Sequence, residues 1–224
     1  LQPKLVCNDQ GLTGIGTMSH HRFRDFLAAA EQHGLMRRVR QTVDPTWELA
    51  CLARWAYQAL PNEARFGLLF EDVEGSEFPM ATGVLGASRE SYATALGVTP
   101  EEINETWAKA LINPIPPVAV EHAPCQEVVR TGDDVNLSDL PIPTWTPGKD
   151  PGPYITTSVM TRDANTGNQN TGVYRTRVRD ERHVVINLNP RRHGHNQTST
   201  WLERGEPAPI AWIVAAPPVV HLAS

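Results

Sequence analysis

Apolar positions change their spacing about halfway along the chain. In the first half they fall at helical intervals. Phe23, Phe26 and Leu27 make one apolar stripe, which predicts a helix over 19–34 with Ser19 as its cap and Gly34 as its stop. A strand is expected over 35–43. Asp44 and Pro45 then open a second helix with Trp47, Leu49, Leu52, Trp55 and Leu60 on its apolar positions, and Pro61 ends it. Leu68, Leu69 and Phe70 begin a strand, Gly75 turns the chain, and 78–85 reads as the returning strand. Two more helices follow, one over 88–96 and one starting at Thr99. There a capping Thr, Pro100 at the first helical position and the first-turn acids Glu101 and Glu102 agree with one another.

The run Asn113-Pro114-Ile115-Pro116-Pro117 cannot continue a helix and reads as a linker. Helical spacing stops there. Short apolar runs at 128–129, 155–160, 173–178, 184–188 and 210–214, separated by Gly, Asn and Pro turns, read as strands. The expected class is α+β: an amino-terminal α/β domain over 19–118 and a strand-rich domain over 119–224. The first methionine is Met18 and 1–17 show no charged-then-apolar signal pattern; residues 1–18 are set aside as a leader or non-native segment.

Composition narrows the class of function. With 40% hydrophobic residues over 224 positions the chain can bury a real core. A formal charge of −5 gives no basic excess to hold nucleic acid. The longest apolar run, 208–216, ends at Pro217 and Pro218 and is too short for a membrane span. Cys7, Cys51 and Cys125 are odd in number and have no CxxC spacing, which argues against a disulfide framework and for a reducing, cytoplasmic setting.

Two stretches could carry chemistry. Between Thr166 and Arg175, small polar residues and glycines could bring backbone amides to an anion, and Arg175 could bind a phosphate or carboxylate with two prongs. Spacing alone favours a plainer reading, a hairpin turn followed by an edge-strand arginine. In the second, Pro190-Arg191-Arg192-His193-Gly194-His195-Asn196, a neutral His could ligate a metal, and Asn170 could add an amide oxygen. Spacing alone again favours the plainer reading, a solvated basic loop.

Asn170-Thr171-Gly172-Val173-Tyr174-Arg175 followed by His193 resembles the cofactor segment of UbiD-type decarboxylases. The approach to it is similar to the family's as well, through Asp139-Leu140-Pro141-Ile142-Pro143, Asp150-Pro151-Gly152-Pro153-Tyr154 and Asp163-Ala164-Asn165-Thr166-Gly167. Phe23-Arg24-Asp25-Phe26-Leu27 and Val43-Asp44-Pro45 upstream, and Gly205-Glu206-Pro207 and Ala216-Pro217-Pro218 downstream, keep the family order. Several ordered motifs outweigh any single one and reverse both plainer readings.

The resemblance implies a flavin-reductase-like split β-barrel, incomplete in this chain, that holds prenylated FMN. It implies reversible non-oxidative decarboxylation of a small aromatic or α,β-unsaturated carboxylic acid, in a homo-oligomer supplied with cofactor by a flavin prenyltransferase. Asn170 and His193 match ligands of a divalent metal, usually Mn2+, which works with K+ to hold the cofactor phosphate. Thr171, Gly172, Val173 and Tyr174 match the segment lining the flavin, and Arg192 a polar side chain against it. Arg175 matches the arginine of a catalytic Glu-Arg-Glu network. Both glutamates of that network, and the third metal ligand, are expected beyond Ser224. A plain FMN-binding split barrel, and an inactive piece that needs another chain, are the competing readings.

Overall fold

The computed structural model describes residues 22–224 together with the backbone of a three-residue strand near the start of the chain. That strand is β1 (Lys4–Val6), followed by α1 (Phe23–Gln32), β2 (Met36–Val39), α2 (Glu48–Gln58), β3 (Gly67–Phe70), β4 (Met80–Thr82), α3 (Arg89–Leu96), α4 (Ile103–Ile112) and β5 (Val118–Val120). The second half holds β6 (Tyr154–Ile155), β7 (Ser158–Arg162), β8 (Gln169–Val173), β9 (Thr176–Val178), β10 (Val184–Ile186), α5 (His193–Leu202), β11 (Ile210–Ile213) and α6 (Pro218–Leu222).

Every residue of β3 is buried, because helices cover both faces of its sheet. The sheet order is β2-β3-β4, with β2 parallel and β4 antiparallel to β3. Leu68 and Phe70 point to one face and pack with Leu49, Ala56 and Phe66, where α2 lies. Leu69 points to the other and meets Phe26, Ala30 and Ala95 of α1 and α3. Side-chain alternation along one strand thus builds two core layers.

Several expected elements shift. The helix α1 begins at Phe23 with Arg22 at its cap position and no capping side chain. Ser19 and the leader expected over 1–18 lie outside the described residues, apart from the strand β1, which pairs with β5. The α2 face toward the core is Leu49, Ala50, Ala53 and Ala56. Trp47 and Trp55 are 57% and 51% exposed, because small residues let the helix sit close to the sheet and the bulky ones turn outward. Residues 113–117 have no regular structure. Val128 and Val129, expected as a strand, are exposed and irregular.

The runs expected at 155–160 and 173–178 each break in two. The strand β6 passes to β7 over Thr156 and Thr157, and β8 to β9 over Tyr174 and Arg175. The first break moves the chain from the three-stranded sheet β10-β9-β6 to the other, β11-β7-β8, and the second moves it back. Thr157 Oγ1 donates to the Ile213 carbonyl at 2.5 Å, and Trp212 Nε1 donates to Thr176 Oγ1 at 2.9 Å, so side chains tie the sheets at the bends. Among the described residues these sheets are small and do not close into a barrel.

Candidate functional site

A hairpin presents the first candidate segment. Asp163 Oδ1 accepts from the backbone N–H groups of Asn165 and Thr166 and from the Thr166 hydroxyl, and Gly167 has φ +76°. These hydrogen bonds, that of the Thr166 amide foremost, hold the Asp163 carboxyl below its ordinary pKa. Residues 163–168 are therefore the turn joining β7 to β8, as the plainer reading of that stretch has it.

Alternation along β8 then sorts the expected cofactor residues. Asn170 and Gly172 share a face with Tyr174 just beyond them, whereas Thr171 and Val173 fall on the opposite face, where Val173 is 54% exposed. The Tyr174 ring is held between two glycines. A Cβ added to Gly172 would come within 2.9 Å of it, and one added to Gly194 within 2.7 Å. Its hydroxyl accepts from Asn170 Nδ2 at 3.2 Å and from the Gly194 N–H at 3.0 Å.

The second candidate stretch is the start of a helix rather than a loop. Arg192 stands at the cap position of α5 with an extended backbone, and His193 is the first helical residue. Arg191 before it has φ +68°, a left-handed turn that aims the chain into the helix. The first amides of a helix have no intrahelical acceptor and favour an anion. Arg192 and His193 are exposed, so both are open to a ligand beside those amides. Polar as it is, α5 packs across β7 and β8. Thr198 and Ser199 direct their hydroxyls back to helix carbonyls of Gly194 and His195. Asn170 and the start of α5 thus meet at one tyrosine hydroxyl.

Arg175 is placed elsewhere. On the bend after β8, its guanidinium donates to Asp150 Oδ2 at 2.5 Å and lies 4.0 Å from the centre of the Tyr154 ring. The same Asp150 oxygen accepts from the Thr146 N–H at 2.8 Å, and the Asp150 side chain is only 7% exposed. Asp150 also borders an open cleft of about 320 Å3 shared with Thr46, Trp47 and Thr144. Spacing in the sequence singles out neither Asp150 nor the link from Tyr174 to Gly194. The prolines and glycines around Asp150 are its only local signal. Among the described residues no three His, Cys, Asp or Glu side chains gather as a cation site, Cys51 and Cys125 are free thiols, and no helix is long and apolar enough to cross a membrane.

Two family models match the chain. That of the 3-octaprenyl-4-hydroxybenzoate carboxy-lyase N-terminal domain matches residues 27–111, and that of the carboxy-lyase Rift-related domain matches 117–224. An uncharacterized protein of Synechocystis sp. is 29% identical over 90% of this chain and 44% of its own length. Among solved structures, an evolved dimeric form of the UbiD-class enzyme HmfF from Pelotomaculum thermopropionicum, in complex with prFMN, superposes with a TM-score of 0.77 at 34% identity, covering 88% of this chain and 45% of that one. The vanillic acid decarboxylase of Sedimentibacter hydroxybenzoicus in its closed form gives 0.80 at 30%, covering 92% and 45%. The apo 3,4-dihydroxybenzoic acid decarboxylase of Klebsiella pneumoniae gives 0.77 at 26%, covering 88% and 43%. The chain spans less than half the length of these relatives.

Proposed function

The chain belongs to the UbiD family, and from that premise we propose that it carries the metal- and phosphate-binding part of a prenylated-FMN-dependent decarboxylase. The reaction is the reversible, non-oxidative loss of CO2 from an aromatic or α,β-unsaturated acid. One observation carries the reading: Asn170 and the helix start bearing His193 converge on the Tyr174 hydroxyl.

The residues present fit the group. Asn170 offers an amide oxygen and His193 an imidazole, a donor pair suited to Mn2+, and the α5 amides suit a phosphate. In this reading Asn170 and His193 would hold the divalent cation, K+ would help neutralise the phosphate, and Gly172, Tyr174 and Arg192 would contact the flavin. Thr171 and Val173 contribute through their backbone, since alternation turns their side chains to the other face. Bound there, the prenylated flavin supplies the electron sink that CO2 loss requires. Arg175 orients the substrate carboxylate with its free guanidinium edge while Asp150 and Tyr154 fix the rest of the side chain.

The same proposal divides the chain into domains over 19–118 and 119–224 and makes the two three-stranded sheets parts of a split β-barrel. The strands that switch sheets at bends support it, since such bends form the corners of orthogonally packed sheets. A homo-oligomer and a flavin prenyltransferase as cofactor supplier complete the reading.

The test is to express the full-length polypeptide with a flavin prenyltransferase and Mn2+, then measure flavin retention and CO2 release over a panel of aromatic and unsaturated acids. Release with at least one acid is expected. Retention of unmodified FMN without CO2 release would leave a plain flavin module, and a protein holding no flavin would end the proposal.

A further inference from the structure

The Tyr174 hydroxyl alone does not decide which way the Asn170 amide faces. That hydroxyl can accept from Nδ2, but it could equally donate to Oδ1. The choice matters, because only the oxygen can ligate a cation.

A chain of hydrogen bonds from α5 makes the choice. Gln197 Nε2 donates to the Asn168 carbonyl at 3.2 Å, which turns Gln197 Oε1 toward the sheet. Thr161, 1% exposed, donates its hydroxyl proton to that oxygen at 2.7 Å. Its one proton is thereby spent, and toward any third group Thr161 Oγ1 can only accept. The group facing it is Asn170, its direct partner across the β7–β8 pair. Asn170 Nδ2 lies 3.5 Å from Thr161 Oγ1, and the opposite orientation would set two acceptor oxygens against each other. Nδ2 is therefore shared between Thr161 and Tyr174, and Oδ1 has no protein donor among the described residues.

We propose that Thr161, held by Gln197, is a positioning residue that turns the Asn170 carbonyl oxygen toward the cation. This rests on the metal reading of Asn170 above. Groups that orient a ligand from behind typically carry tenfold to a hundredfold of metal affinity.

The experiment titrates Mn2+ into the full-length, flavin-loaded protein by electron paramagnetic resonance, with thermal unfolding followed alongside. Thr161→Val keeps the shape and removes the hydroxyl, and Thr161→Ser keeps the hydroxyl. We expect Thr161→Val to weaken Mn2+ binding by about tenfold or more, and Thr161→Ser to retain wild-type affinity. Wild-type affinity in Thr161→Val, with binding lost in Asn170→Ala, would overturn the positioning role and leave the metal reading standing. Unchanged binding in Asn170→Ala would overturn both. Should Thr161→Val fail to fold, Gln197→Leu, which breaks the chain from the half-buried helix side, decides by the same comparison.

Discussion

Tyr57 and Gly83 compete for one volume. The Tyr57 hydroxyl is buried without a hydrogen-bond partner among the described residues, and it sits 0.8 Å from where a Cβ on Gly83 would be. Burial pushes its pKa up to about 12, so it stays neutral at working pH. A buried hydroxyl without a partner loses its water and gains nothing. Tyr57→Phe should raise stability by about 1 kcal/mol, read as a higher urea midpoint; a lower midpoint would mean that the hydroxyl has a partner. His221 makes the opposite kind of contact. Its Nδ1 lies 2.6 Å from the hydroxyl of Ser158, and burial lowers its pKa below the ordinary 6.5. The folded state then binds fewer protons than the unfolded one, so this stability is full above pH 6.5 and drains away as pH falls below it. Unfolding at pH 7.5 and 5.5 should show that loss in the wild type and a flatter response in His221→Gln. For Arg175, the structure adds a constraint absent from the sequence. Arg175→Lys keeps the charge but loses the planar fork and the stacking on Tyr154. Under the proposed function, turnover of the full-length polypeptide should fall by about two orders of magnitude with flavin and metal still bound. Near-normal turnover would make the Asp150 pair purely structural.

Elements were legible where local chemistry and packing agreed. The helix α3 has both its ends written in the sequence: Ser88 Oγ accepts from the Ser91 N–H at 3.3 Å, and Gly97 takes the left-handed conformation just past Leu96. Ser88→Ala should cost about 1 kcal/mol, measurable by chemical denaturation; no change would mean that water caps the helix equally well. The start of α4 was legible only in part: the helix begins at Ile103 with Glu102 at its cap position, and Pro100 to Glu102 form a turn before it, so Thr99 is not its cap. Glu102 reaches back to the Thr99 N–H at 2.9 Å, and that bond, first among the contacts with Thr99, lowers its pKa. The helix α5 was not legible. Its sequence, HGHNQTSTWL, is polar and poor in strong helix formers, and it forms because it packs on β7 and β8. The polar cluster around Asn170 was hidden for a related reason. Asn170 and His193 could be named from the sequence, but Tyr174 joins Asn170 to a glycine 20 residues further on, and Gln197 reaches Thr161 across 36. Such pairings depend on register, which spacing along one segment does not contain.

At the scale of the whole molecule, the change from helical to strand spacing marks a real change in architecture. A three-layer α/β unit lies before residue 113, and paired small sheets lie beyond 153. Every residue from 111 to 119 is exposed. Limited proteolysis of the folded protein should therefore cut first near Leu111 to Ile115 and leave two protected pieces, followed by mass spectrometry. First cleavage within 155–190 would contradict the proposed division. The segment leading into the sheets also meets that first unit directly. Trp145 packs against its core, and the Thr144 N–H donates to the Pro45 carbonyl at 3.0 Å.

The bend at Tyr174 and Arg175 has a consequence for how this site tolerates change. One segment spans a corner, with Asn170 before it in one sheet and Arg175 on it, against Asp150. In the proposed site, the distance between cation and carboxylate positions is thus measured out by residue count along a single folded ruler. Exchanging side chains there alters the marks. Adding one residue between Gly172 and Arg175 would leave every side chain present and move those beyond it to the wrong wall. Length in this segment should be far less negotiable than identity, a constraint on evolution and on engineering alike.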